Sequence, residues 1–190
     1  MTRIVSGSAK GRVLRVPPQG TRPTSERVRE ALFSRLEHWG MIEGTRVLDL
    51  YAGTGALGLE AVSRGASDAV LVEKSPKAAR ILRENVALTE LDAGVRSADV
   101  HAFLGGRTGE PLTGEFGLVF IDPPYDIDED RLGKTLELLG PWLSADALVI
   151  VERSVRSPQP RWPVFLRVED RRTWGDTVAW MVGPPTPKDS

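Results

Sequence analysis

The residues with the most specific chemistry form the run Asp122-Pro123-Pro124-Tyr125, which follows directly on an apolar segment. The side chain of Asp122 and the backbone carbonyl of Pro123 can both accept hydrogen bonds from one NH2 group. The two prolines hold the backbone extended, so both acceptors point in one direction. Tyr125 adds a flat face on which a nucleobase can stack. The run predicts a catalytic site for the exocyclic amine of a base, whereas an ordinary proline-rich turn accounts only for the prolines.

A glycine-containing loop from Asp49 to Gly58 is predicted to join a strand to a helix. Gly53 and Gly55 allow a tight turn and a close approach to a ligand, and the helix that follows directs its first amides into the same space. Glu73 ends the next predicted strand, where its carboxylate could bind two ribose hydroxyls. The glycine spacing also fits a dinucleotide-binding oxidoreductase. Against that alternative, the charge of Asp49 would repel a pyrophosphate, whereas it would suit an α-ammonium group.

A third acidic residue, Asp99, ends a weak predicted strand. Its carboxylate could accept a hydrogen bond from the 6-amino group of an adenine, with the Val100 amide facing the ring. A surface aspartate at the end of a strand is the plainer alternative. The predicted cofactor-binding residues are Asp49, Tyr51, Gly53, Gly55, Glu73, Lys74, Asp99, Val100 and Asp122.

The elements that must position these residues alternate between strands and helices from Thr45 onward, which predicts a parallel, doubly wound sheet. Two final strand-like runs have no helix between them, so we expect an antiparallel hairpin at the C-terminal edge. The predicted strands are Arg46–Leu50, Ala69–Glu73, Val95–Ala98, Gly117–Asp122, Asp146–Glu152, Val164–Val168 and Thr177–Val182. The predicted helices are Leu57–Arg64, Pro76–Glu90 and Arg131–Leu139, preceded by one that Thr24 or Ser25 caps and Gly40 ends.

The N-terminal residues differ in charge from the rest of the chain. Residues 1–30 carry a net charge of +5 and residues 31–190 a net charge of −6, which indicates that the first segment meets a polyanion. A solvated, charged terminus is the alternative. Short strands at Arg3–Val5 and Arg12–Val16 predict a basic β-hairpin arm over residues 1–20, followed by a catalytic domain over 21–183 and a frayed tail over 184–190.

Composition narrows the class of protein further. The chain has no cysteine and two histidines, so thiolate zinc sites are excluded and no metal is expected. No apolar run is long enough to cross a membrane, and the first residues lack the apolar region of a secretory signal. We therefore expect a cytoplasmic protein.

Three segments, 3–12, 22–30 and 48–60, together with Asp122–Tyr125, resemble the RsmD-type 16S rRNA guanine-N2 methyltransferases, a family of class I amino-methyltransferases. The resemblance covers residues 2–152, and only the outline of the C-terminal hairpin is similar. It implies a monomer with the Rossmann-like class I fold that uses S-adenosylmethionine to methylate a guanine of 16S rRNA, in the 30S subunit or an assembly intermediate. It also implies that the N-terminal arm engages RNA, so the predicted RNA-binding residues are Arg3, Lys10, Arg12, Arg15, Arg22, Arg27 and Arg29.

Two other functions remain open at this point. A nicotinamide-dependent oxidoreductase would use the loop from Gly53 to Gly58 for its cofactor. A non-catalytic ribosome assembly factor would bind RNA and keep only a remnant of the cofactor site, although the intact run from Asp122 to Tyr125 argues against such decay. Binding of S-adenosylhomocysteine without NAD(H) would exclude the first, and methyl transfer would exclude the second.

Overall fold

The computed structural model of the chain describes residues 1–17, 25–107 and 114–185. Arg22, Thr24 and all but the first two residues of the predicted tail lie outside these ranges. The strands are β1 (Thr2–Arg3), β2 (Val13–Leu14), β3 (Arg46–Leu50), β4 (Asp68–Glu73), β5 (Ala93–Ser97), β6 (Phe116–Ile121), β7 (Leu143–Ser154), β8 (Arg167–Trp174) and β9 (Thr177–Gly183). The α-helices are α1 (Glu26–His38), α2 (Ala56–Ser63), α3 (Pro76–Thr89), α4 (Val100–Leu104) and α5 (Glu129–Leu139).

Seven strands form one sheet in the order β5-β4-β3-β6-β7-β9-β8. The first five are parallel, and β9 and β8 are antiparallel to their neighbours, so the predicted fold class is confirmed. The chain reverses its direction of progress across the sheet between β3 and β6. Ligands bind outside the carboxyl ends of the strands at such a reversal. The topology therefore places the ends of β3, β4 and β6, where the candidate residues lie, around one crevice.

Helices cover the sheet on both faces, which is why its central strands can be almost entirely apolar. Leu32 and Phe33 of α1 and Leu82 of α3 pack on one face. Leu132 and Leu136 of α5 pack on the other face. Both layers leave the carboxyl ends of the strands uncovered, and within the described ranges no helix combines the length and the apolar character needed to cross a membrane.

The predicted strand Val164–Val168 is wrong, because the strand there is β8, which begins at Arg167. Pro163 and Leu166 instead close a turn, in which the Leu166 amide donates to the Pro163 carbonyl at 2.9 Å, and Val164 is fully exposed. As the edge strand of the sheet, β8 has mostly exposed side chains. Its sequence therefore lacks the apolar alternation that marks a half-buried strand.

The basic β1–β2 hairpin is packed on the domain. Ile4 and Leu14 are buried in the same core cluster as α1, α2 and α3. The carboxylate of Glu60 in α2 accepts hydrogen bonds from the amides of Val5 and Ser6 at 2.8 and 2.9 Å. Residues 1–17 thus form a fixed part of the fold, even though sequence analysis treated them as an arm.

The structure corrects the expectation that Arg29 binds RNA. Its side chain is 1% exposed, so almost none of its surface is available to a ligand outside the protein. The guanidinium donates to the backbone carbonyl of Arg3, and its Nε lies 3.5 Å from Oε2 of Glu60. Arg29 therefore ties α1 to the hairpin and to α2.

Candidate active site

A cavity of about 1220 Å³ opens at the carboxyl ends of β3, β4, β6 and β7. Its volume exceeds the roughly 300–1,000 Å³ of a pocket for one small ligand, so it can hold a cofactor and part of a second molecule. Of the predicted site residues, those that line it are Asp49, Tyr51, Gly53, Glu73, Lys74, Asp99, Val100, Asp122, Pro123, Pro124 and Tyr125. The structure thus brings the two predicted groups, cofactor-binding and catalytic, into one space.

Gly55 is not among the lining residues and acts through the fold instead. Its φ is 81°, in the left-handed region that favours glycine. A Cβ atom here would lie 2.6 Å from Cδ1 of Leu82 and 3.0 Å from Cδ1 of Leu59. The glycine is therefore required by the turn into α2 and by packing, whereas Gly53, with a φ of 55°, lines the cavity.

Tyr51 also has a left-handed backbone, with a φ of 62°, which is uncommon for a residue other than glycine. Its hydroxyl forms a 3.0 Å hydrogen bond with Oγ1 of Thr135, a buried residue of α5. This bond anchors the side chain while the backbone turns at the end of β3. The hydrogen bond therefore fixes the orientation of the Tyr51 side chain at the start of the loop.

Asp49 is a buried carboxyl at the bottom of the cavity. It is 2% exposed, and its Oδ2 accepts a 2.9 Å hydrogen bond from the Gly58 amide in α2. Burial raises the pKa of Asp49 to about 8, although the hydrogen bond from the Gly58 amide acts to lower it. The charges of Asp122 and Glu73 also raise this pKa. Because this pKa lies above its ordinary value near 3.8, ionisation of Asp49 lowers the stability of the folded protein as the pH rises from about 4 to 8.

Asp122 and Glu73 complete an acidic group around Asp49. Burial raises the pKa of the half-buried Asp122 to about 6. The carboxylate of Glu73 accepts hydrogen bonds from the amides of Gly53 at 3.1 Å and Ser75 at 2.8 Å, which fix it at the end of β4. Three acidic side chains in a partly desolvated cavity favour a ligand with positive charge. A pyrophosphate would add negative charge to the same space.

Asp99 is placed differently from the prediction, because β5 ends at Ser97 and Asp99 is the N-cap of α4. Its Oδ1 accepts hydrogen bonds from the amides of His101 and Ala102, and its Oδ2 lies 2.5 Å from Nη2 of Arg131. Desolvation acts to raise the pKa of Asp99, but these amides and the charges of Arg131 and Lys74 hold it below its usual value. Asp99 is therefore an ionised acceptor at the cavity wall.

The loop after β6 presents the predicted catalytic residues. Pro123 is buried, whereas Tyr125 is 74% exposed, with its hydroxyl 3.4 Å from Oγ of Ser154. The amide of Ile127 donates to the Pro124 carbonyl at 3.1 Å and closes the turn. The exposed ring of Tyr125 at the cavity lining is available for stacking with a base that enters from outside.

A second wall of the cavity contains residues that sequence analysis missed. Glu152 and Arg153 at the end of β7 and Trp174 at the end of β8 line it, together with Arg27 of α1, which was predicted to bind RNA. Glu152 shares one signal with Asp49, Glu73 and Asp122, since each is an acidic residue at or near the end of an apolar strand. Reading that signal on every strand would have found Glu152. The approach of β8 and α1 depends on tertiary packing and has no local signal.

Comparison with known proteins gives a consistent family. The family model described as "Conserved hypothetical protein 95" matches residues 2–183. The chain is 39% identical over 165 residues to "Ribosomal RNA small subunit methyltransferase D" of Escherichia coli K12, which covers 85% of this chain and 79% of that protein. It is 34% identical over 184 residues to "Putative rRNA methyltransferase YlbH" of Bacillus subtilis, covering 92% and 95% of the two chains.

A solved structure agrees with this assignment. "Putative methyltransferase yhhF" from Escherichia coli superimposes with a TM-score of 0.83 at 33% identity, over 96% of this chain and 97% of the other. The similarity extends through the C-terminal hairpin, for which the sequence had shown only an outline. The chain therefore belongs to the family described as conserved hypothetical protein 95, and its resemblance to the RsmD-type methyltransferases is confirmed.

Proposed function

We propose that this protein transfers the methyl group of S-adenosylmethionine to the exocyclic N2 of a guanine in the 16S rRNA of the small ribosomal subunit. The observation that carries the proposal is the placement of Asp122 and Pro123, paired acceptors for an NH2 group, in one cavity with the acidic group at Asp49 and Glu73. The E. coli relative, named a small-subunit rRNA methyltransferase, supports the class of substrate. All of these groups come from one chain, so a monomer suffices, and a ribosomal substrate agrees with the cytoplasmic location expected from the sequence.

The residues present fit the cofactor. S-adenosylmethionine, when bound, supplies an electrophilic methyl group on a positively charged sulfur and also carries an α-ammonium group. Asp49 would face the ammonium group, directly or through water, and Glu73 the ribose hydroxyls. Asp99 and the Val100 amide would hold the adenine. A bound cation would favour ionisation of Asp49 and Asp122, whose burial raises their pKa values, whereas the pyrophosphate of an oxidoreductase's dinucleotide would oppose it.

The chain's contribution to catalysis is to hold the amine in line with the methyl group. The lone pair of guanine N2 is delocalised into the ring, so a well-held near-attack geometry, which can contribute roughly 7–11 kcal/mol, is the main requirement. Asp122 and the Pro123 carbonyl would accept the two N–H groups. They would favour the more positive nitrogen of the transition state over the neutral amine. Tyr125 would stack on the base.

The function can be tested by incubating the protein with labelled S-adenosylmethionine and small subunits from a source lacking the modification. We expect label on one guanine N2 when the product is mapped. An assembly factor without activity would transfer none. Calorimetry with S-adenosylhomocysteine and NADH separates the oxidoreductase alternative, since we expect the first to bind and the second not to.

Glu73→Ala is expected to weaken S-adenosylmethionine binding by roughly 10- to 150-fold, because charge-assisted hydrogen bonds of about 1.5–3 kcal/mol would be lost. The amides of Gly53 and Ser75 would lose their acceptor but can reach water, so the change in Tm should be small. Calorimetric titration measures the affinity. Glu84→Ala, which removes a carboxylate from α3 outside the cavity, is the matched control. Equal affinity in Glu73→Ala and wild type would remove Glu73 from the site.

Several of the predicted RNA-binding residues form ion pairs within the protein, so fewer of them are available to RNA than the net charge of residues 1–30 indicates. Arg3, Arg12 and Arg15 form ion pairs with Glu26, Glu90 and Glu84, at 3.1, 3.8 and 2.5 Å, respectively. Carboxylates in α1, in α3 and directly after α3 thus offset part of the charge of the hairpin. Lys10 and Arg27 are exposed, and neither forms an ion pair with another described residue. We propose these two as the principal phosphate contacts of this surface, with the three paired arginines assisting.

Replacing both Lys10 and Arg27 by alanine should weaken RNA binding and lower its salt dependence. Each phosphate contact contributes roughly 0.7–0.9 to the slope of log K against log salt concentration, so the slope should fall by up to twice that amount. Filter binding or fluorescence anisotropy over a range of salt concentrations measures it. Lys134→Ala on α5 removes the same type of charge elsewhere and should change nothing. A double variant with the wild-type slope would show that neither Lys10 nor Arg27 contacts a phosphate.

A further inference from the structure

Glu152 lies beside Asp122 at the carboxyl end of the sheet, and the reaction described above gives it no role. Ile121 of β6 pairs in register with Val151 of β7. The residues that follow them, Asp122 and Glu152, therefore lie side by side. Paired residues of parallel strands direct their side chains to the same face of the sheet. Glu152 thus shares a face with Phe120 and Ile150, which pack toward α1, and it lines the cavity while being 5% exposed.

The carboxylate of Glu152 is held in a charged environment. Its charge acts on Arg29, which is fixed by the Arg3 carbonyl and lies 3.5 Å from Glu60. Glu152 therefore brings the oxygens of a carboxyl group, which can accept hydrogen bonds, to the wall of the cavity, next to the acceptors that would take the amine.

The base edge that reaches Asp122 carries a second donor. In guanine, N1–H is adjacent to the N2 amine, whereas N1 of adenine or 2-aminopurine is an acceptor. A carboxylate next to the N2 acceptors would bind guanine N1–H and repel an unprotonated N1. We propose, as a refinement that rests on the proposed function, that Glu152 accepts a hydrogen bond from N1–H of the target guanine and so determines its specificity for guanine.

A role of Glu152 in base recognition can be distinguished from a purely structural role as the counter-ion of Arg29. A counter-ion would affect folding or all substrates alike. A residue that reads the base must affect guanine and its analogues differently, because an amide in place of the carboxylate can donate a hydrogen bond to an unprotonated N1. The comparison of two substrates in two proteins thus measures specificity directly.

The experiment uses small subunits reconstituted with rRNA that carries either guanine or 2-aminopurine at the mapped position; both bases offer a 2-amino group. For wild type we expect kcat/KM to favour guanine. In Glu152→Gln this ratio should fall by roughly 10- to 100-fold, the range expected for one lost base-edge contact. Activity on guanine should drop, and activity on 2-aminopurine should persist or rise. Glu169→Gln, an exposed carboxylate of β8, should leave the ratio unchanged.

An unchanged ratio in Glu152→Gln, which means equal losses on both substrates or no loss on either, would overturn the inference and leave the proposed function intact. Absence of methyl transfer to guanine by wild type would instead overturn the proposed function. If Glu152→Gln does not fold, Glu152→Asp retains the charge but withdraws it by one methylene group. That variant should lose activity on guanine without gaining any on 2-aminopurine, with cofactor affinity as in wild type.

Discussion

Glu60→Ala should lower the free energy of unfolding by about 3–5 kcal/mol, the range for removing one partner of a buried charge pair. Glu60 is fully buried in α2, between the side chains of Arg29 and Arg64, which are 1% and 2% exposed. Its removal takes from Arg29 the carboxylate that lies 3.5 Å from its Nε, whereas Arg64 keeps its ion pairs with Glu30 and Glu37. It also leaves the amides of Val5 and Ser6 without their acceptor. Denaturant unfolding at equilibrium measures the loss.

The control for this prediction is Glu84→Ala. Glu84 also joins the hairpin to a helix, through Arg15 at 2.5 Å, but that pair is substantially exposed. Exposed ion pairs contribute about 0–1 kcal/mol, so the control should stay close to wild type. Hydrogen exchange at the Val5 and Ser6 amides should accelerate in Glu60→Ala alone. Similar stability losses in the two variants would show that the buried charge network does not hold the hairpin.

Most of the sheet and the wall of the cavity at the ends of β3, β4 and β6 could be predicted from the sequence, because both depend on local patterns of residues. Strands covered on both faces are nearly continuous apolar runs, so β3, β4 and β6 could be recognised. Because parallel strands end at the same edge, Asp49, Glu73 and Asp122 could be predicted to meet. The glycine loop and the prolines are likewise local features, which constrain the backbone wherever they occur.

The remaining features depend on contacts between distant segments. Glu60 reads in the sequence as an ordinary polar residue of a short helix, yet it is fully buried because the hairpin and Arg29 surround it. Arg29 likewise reads in the sequence as one more basic residue of the N-terminal segment, because its burial depends on the same contacts between distant segments. Asp99 was assigned to the end of a strand because a five-residue helix is too short to show periodicity. Charge alone does not distinguish a buried network from a surface that binds RNA.

Asp122→Ala should lower turnover by roughly 10²–10³, the usual cost of losing one hydrogen bond made in the transition state. Cofactor affinity should fall much less than turnover, because Glu73, Asp49 and Asp99 remain in place and only one nearby carboxyl is lost. Asp146→Ala, an exposed aspartate near the amino end of β7, serves as a control without effect. Single-turnover methylation of the mapped guanine, together with calorimetric titration of the cofactor, measures the two quantities separately.

Asp122→Asn distinguishes positioning of the amine from proton abstraction. The amide keeps an acceptor oxygen of the same shape but has no charge, so in the positioning mechanism it should retain about tenfold more activity than the alanine variant. Burial raises the pKa of Asp122 to about 6, and a bound cation lowers it, so the wild-type rate should decline as the pH falls through 6 or somewhat below. Asparagine does not titrate, and the decline should be absent from that variant. If Asp122 were an obligatory general base, the asparagine and alanine variants would be equally inactive at every pH, and the positioning mechanism would be falsified.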